Sequence, residues 1–120
     1  MCEEAPKRYD LEDRTYTFAL NVRRLVKRLS KTISNIEDSK QVIRASGSVG
    51  ANYIEANEAL SKKDFVMHIK ISRKEAKESN YFLRLLDTAD DPDLGAERDR
   101  LVQEAKELMN ILSSILRKSE

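Results

Sequence analysis

The 120-residue chain carries 22 lysines and arginines against 21 aspartates and glutamates, with three glycines, two prolines and no tryptophan. That length supports one domain with one core, and the abundance of helix formers beside so few turn residues excludes a β-rich fold. A net charge of +1 argues against a protein devoted wholly to duplex nucleic acid unless its charges are segregated by face.

The N-terminus, MCEEAPKRYD, is polar and has no apolar leader segment. Residues 1–8 read as a flexible tail and 9–118 as a single domain. Cys2 is the only cysteine, so no intrachain disulfide forms, which fits a reducing, cytoplasmic setting. No apolar run approaches the roughly 18 residues that a membrane span needs.

The first amphipathic segment runs from about Leu11 to Ile36. Phe18, Val22, Leu25, Leu29, Ile33 and Ile36 recur at helical spacing. Asp10, Glu12 and Asp13 sit where a helix N-terminus favours anions. Arg23, Arg24, Lys27, Arg28 and Lys31 fall on the far side. The second segment is expected to start near Asp38, with Gln41 three residues on as a capping box, and to end near Leu60. Ser61 and Asp64 form a similar box that starts the third segment, Lys62 to about Ala89. There Phe65, Ile69, Ser72, Ala76, Leu83 and Leu86 form one stripe, flanked by Met67, Ile71, Phe82, Leu85 and Ala89. Asp91 before Pro92 marks the start of the fourth segment, which reaches about Arg117. Its stripe is Leu94, Leu101, Ala105, Leu108, Leu112 and Ile115, helped by Ile111. Four such helices with short connections predict an all-α, antiparallel up-down-up-down four-helix bundle.

The second segment has an unusual face. On a wheel at about 100° per residue, Val42, Ala45, Val49, Tyr53, Ala56 and Leu60 form the core stripe. Ile43, Gly47, Gly50 and Ile54 form a second arc, apolar and small. A glycine inside a helix costs about 1 kcal/mol against alanine, so two of them a turn apart imply close packing. Ser48, Asn52 and Glu55 line a third, polar side. One reading makes Ile43, Gly47, Gly50, Ile54, Ser48, Asn52 and Glu55 a contact surface for a second subunit or partner, with self-association the common fate of an extra apolar face. The other keeps both faces inside one irregular bundle, where the glycines permit close helix contact.

These residues also carry a resemblance. YDLEDRTYTFA and QVIRASGSVGANYIEANEALSKKDFVMHIKISRKEAKESNYFLRLL are similar to the ribosomal-RNA intervening-sequence four-helix bundle family over about Tyr9 to Leu86. Gln41, Arg44, Ser48, Asn52, Glu55 and Ala56 match its second-helix pattern. Ser61 to Phe65 match the start of its third helix, and Lys74, Glu75, Ala76 and Glu78 the middle. Ser79 and Phe82 stand where the pattern has Thr and Trp. The resemblance implies an antiparallel bundle assembled as a ring-like homo-oligomer, with a homopentamer favoured. A related branch of retroelement accessory proteins contacts reverse transcriptase and nucleic acid, which makes both candidate partners here.

No catalytic constellation, cofactor motif or metal set is found. His68 is the only histidine, and the Glu-x-x-His spacing of a di-iron bundle is missing. Glu55, among small residues, is the carboxylate that burial would reach first, and it reads as a hydrogen-bonded contact residue. The chain is therefore expected to be no enzyme but a docking or scaffold module. The alternative is an RNA- or DNA-binding accessory protein using basic helix faces. Arg23, Arg24, Lys27, Arg28 and Lys31 are its candidate contacts, with Lys70, Arg73, Lys74 and Lys77 as a second row, following Lys62 and Lys63.

Overall fold

The structure, a computed structural model, describes residues 7–119, with side chains from Leu11 on. It contains α1 (Lys7–Arg28), α2 (Ile33–Asn57), α3 (Lys62–Leu85) and α4 (Pro92–Ser119), with no strand among the described residues. Of the expected tail, residues 1–6 lie outside the described residues, and Lys7 and Arg8 are already helical. Each helix packs on its two neighbours in the cycle α1, α2, α3, α4, and the α1/α4 interface is the slightest. Phe18, Val22 and Leu25, Val42 and Val49, Ile69 and Leu83, and Leu101, Leu108 and Leu112 fill the centre as one apolar cluster. Full burial of such side chains contributes roughly 1.5–3 kcal/mol each.

The first boundary lies elsewhere than the periodicity predicts. α1 stops at Arg28, and Thr32 caps α2 by accepting a hydrogen bond from the Asn35 amide at 3.1 Å. The Asp38 capping box is thus not the start of a helix. Ile33 and Ile36 belong to α2 and are exposed, Ile33 at 85%. A four-residue break happened to preserve the i, i+4 register, so an apolar count ran straight across it.

The other junctions follow local chemistry. Ser61 Oγ accepts from the Asp64 amide, and Asp91 Oδ1 accepts from the amides of Asp93 and Leu94 ahead of Pro92. α2 ends at Asn57 rather than near Leu60, which is fully exposed instead of lying in the core stripe. α3 ends at Leu85, so Ala89 is not helical but sits in the turn with φ 54°, beside Asp90 at 57°. At the end of α4, Leu116 rather than Ile115 completes the core.

Two polar devices hold the frame. Asn35, 2% exposed, donates to Ser30 O and Asp87 O and accepts from the Asp87 amide, each at 2.9–3.0 Å. One amide thereby joins the α1–α2 loop to the α3–α4 loop. Between α2 and α3 the facing residues are small. Ser72 Oγ donates to Val49 O at 2.7 Å across the seam, while the buried Ser46 and Ser79 hydroxyls donate to carbonyls of their own helices.

Candidate docking faces and an unpaired basic cleft

The outer seam between α1 and α2 is a trough. Tyr16, Ala19 and Leu20 form one wall and Ala51 and Ile54 the other, with Gly47 and Gly50 between, around a cavity of about 480 Å³. Glu12 and Arg23 mark its two ends along α1. A second depression of about 200 Å³ continues the seam past Val26, Ile36 and Ile43. Tyr16 is 68% and Ile54 47% exposed, so the trough presents apolar surface to solvent.

Ile43, Gly47, Gly50 and Ile54 therefore do share one face, and that face belongs to the α1/α2 seam. Its two glycines have different uses. A Cβ on Gly50 would lie 2.8 Å from Thr15 Oγ1 and 3.1 Å from Thr15 Cβ, so this glycine lets α1 approach within the chain. A Cβ on Gly47 would meet only the tip of Arg23, at 3.4 Å. Ser48, Asn52 and Glu55 do not join this face. Asn52 donates to Ser48 O and pairs through Oδ1 with His68 Nδ1 at 3.1 Å, toward α3.

Glu55 is exposed, against the expectation of burial among small residues. The buried carboxylate is Glu75, 7% exposed, whose Oε1 has no hydrogen-bond partner. Burial pushes its carboxyl above the usual range; Glu78 adds to this, and Arg44 and Lys74 oppose it. Sequence reasoning passed Glu75 over because a carboxylate in a lysine-rich run reads as surface. The signal was its position between Ser72, Ala76 and Ser79, all on the buried stripe.

A second apolar flank lies on α3. Met67 and Leu85 are 46% and 48% exposed, and Ile71 and Phe82 are half-buried. They fall on one side of the helix, with Glu78 among them.

The structure divides the first basic row. Arg23 donates to Ala19 O and Ile43 O, Arg24 to Asn21 Oδ1, and Arg28 is paired with Glu97 on α4. Lys27 and Lys31 remain exposed. The second row stays together. Lys70, Arg73, Lys74 and Lys77 border a cleft of about 400 Å³ with Met109 and Ser113 of α4. None of the four makes a salt bridge or hydrogen bond among the described residues. No group of three or more His, Cys, Asp or Glu among the described residues is placed to hold a metal ion, and no helix there is long and apolar enough to cross a membrane.

Residues 7–114 match the family described as 23S rRNA-intervening sequence protein. A comparison with curated proteins gives no match. Among solved structures, the chain is similar to a protein with unknown function from the S23 ribosomal protein family of Bacteroides thetaiotaomicron. The two share 29% identity and a TM-score of 0.77 over 93% of this chain and 99% of that one.

Proposed function

The chain belongs to the 23S rRNA-intervening sequence protein family, and from that premise we propose a non-catalytic cytoplasmic module that self-assembles and docks a macromolecular partner. Its bundle runs antiparallel, up-down-up-down, as four- to six-residue loops between packed neighbours favour. The observation that carries the reading is the solvent-facing apolar trough of α1 and α2. Apolar side chains gathered in one trough, beside a second apolar flank on another helix, suit a pair of subunit contacts. Two unlike apolar faces suit a heterologous, head-to-tail contact, which closes into a ring where the rotation between subunits is a whole fraction of a turn. A ring of five is the number that the family resemblance favours.

Light scattering on a size-exclusion column tests this. One chain weighs 13.8 kDa, and a ring of five about 69 kDa. Ile54→Glu, at an exposed position that the core does not use, should return the mass to one chain with far-UV helicity intact. A wild-type mass of one chain overturns self-assembly.

A second reading is nucleic-acid binding, and the unpaired α3/α4 cleft favours it over the divided α1 row. Repeated around a ring, a modest basic patch gains avidity for phosphates. Lys70→Glu with Lys77→Glu should abolish a low-salt gel shift of structured RNA, while Arg24→Glu with Lys27→Glu should leave it. Equal loss from both pairs, or no shift at micromolar protein, rejects that placement.

A further inference from the structure

Arg14 and Arg44 meet carboxylate pairs in contrasting ways. Arg14 reaches across to α4 and donates to Glu104 at 2.7 and 2.9 Å and to Glu107 at 2.6 Å. Those are the distances of charge-assisted bonds between a guanidinium and ionised carboxylates. Arg44, on α2, faces Glu75 and Glu78 on α3. It stops 4.0 Å from Glu75 Oε1 and 3.9 Å from Glu78 Oε1, beyond hydrogen-bond range. Its Nη2 donates instead to Gln41 Oε1 at 3.1 Å, and its side chain stays 56% exposed.

Glu75 Oε1 is meanwhile buried and without a donor. The hydroxyls nearest it along α3 are committed elsewhere, Ser72 to Val49 O and Ser79 to the carbonyl of Glu75 itself. A hydroxyl has one hydrogen to give. An ionised carboxylate left so bare is costly, and the Arg44 guanidinium just beyond hydrogen-bond range is the ready remedy. Arg44 thus stands at ion-pair distance from Glu75 without donating to it, an arrangement that a neutral carboxyl group tolerates better than an ionised one.

We infer that Glu75 and Arg44 form a proton-dependent latch on the α2/α3 seam. With its proton, Glu75 lies in the small-residue seam as a neutral acid and Arg44 stays on the surface with Gln41. When the proton leaves to solvent, the carboxylate draws the guanidinium inward, and the outer face of α2 loses an exposed cation. The charged groups bearing on Glu75 are Arg44 from α2 and, from α3, Lys74 and Glu78, whose carboxylate also takes a hydrogen bond from the neutral acid; α4, on the other flank of α3, supplies none. The latch therefore changes the charge of a surface beside the α3 apolar flank without any change in fold.

The test is carbon-detected NMR titration of the glutamate carboxyls in the full chain, with Arg44 guanidinium N–H exchange followed in parallel. One carboxyl should titrate above the ordinary glutamate value of about 4.3. Its midpoint should fall in Glu78→Gln, which removes a like charge, and rise in Arg44→Gln, which removes an opposite one. Arg44 guanidinium N–H exchange, corrected for its base catalysis, should gain protection across the same pH interval. Because the folded-state value is raised, the stability tied to Glu75 is complete below the unfolded-state value and declines as pH rises through the folded one. Both substitutions are at partly exposed positions, so the assignment stands even if Glu75→Gln fails to fold. Ordinary midpoints for every glutamate, or an Arg44 guanidinium already protected at the acid end, overturn the latch. Solution mass plays no part in these readouts, so the latch and the self-assembly fail independently.

Discussion

Asn35 does through one side chain what two loops could not do alone. Its amide supplies both donors and its acceptor to backbone groups of Ser30 and Asp87, in a site closed to solvent. Asn35→Ala removes three hydrogen bonds and leaves the Asp87 N–H without its acceptor. The cost should be about 2–3 kcal/mol, read as a lower urea midpoint with the slope of the transition unchanged. Nothing in the sequence distinguishes this asparagine from its neighbours, since its partner is 52 residues away. Glu75 was half-legible, since its place among Ser72, Ala76 and Ser79 marks the buried side. Its burial depends on how closely α2 approaches α3, a property of the facing small residues rather than of its own. Capping residues, by contrast, act within three positions, and Ser61 and Asp91 were readable directly.

The spacing of α1 and α2 rests on a missing methyl group. Gly50→Ala improves helix propensity but sets a carbon against the Thr15 side chain at 2.8–3.1 Å, where a stiff β-branched side chain cannot yield cheaply. The net loss should be about 1–3 kcal/mol. Gly47→Ala meets only the flexible end of Arg23, and should gain up to about 1 kcal/mol. Thermal unfolding of the two variants side by side separates a glycine required by packing from one that is merely tolerated. The arc of small residues was visible in the sequence, whereas its partner was not, because a wheel assigns faces to a helix and not neighbours to a face. The four stripes of the bundle were readable through the body of each helix, slipping by one position at the end of α4, where Leu116 takes the place expected of Ile115. They misled at 29–32, where the chain leaves helical geometry yet keeps apolar residues in step.

Across the chain, charge and apolar surface are sorted by seam. The α1/α2 trough is apolar, the α3/α4 cleft is basic, and the slight α1/α4 interface is bridged by Arg14 to Glu104 and Glu107. A net charge near zero conceals this, since a sum has no direction. The mass change expected of Ile54→Glu belongs to this level. If the trough is the proposed subunit contact, a single carboxylate there should disperse the oligomer, because an unpaired charge at a desolvated contact is expensive, while the bundle itself loses little. The Asn35 clamp also makes the two ends of the bundle unequal. At its end two loops are cross-tied; at the other, residues 58–61 form one short loop whose Leu60 is 99% exposed. Slow amide exchange should therefore fade toward that loop, which becomes the natural place to cut the chain, graft a peptide or relocate the termini.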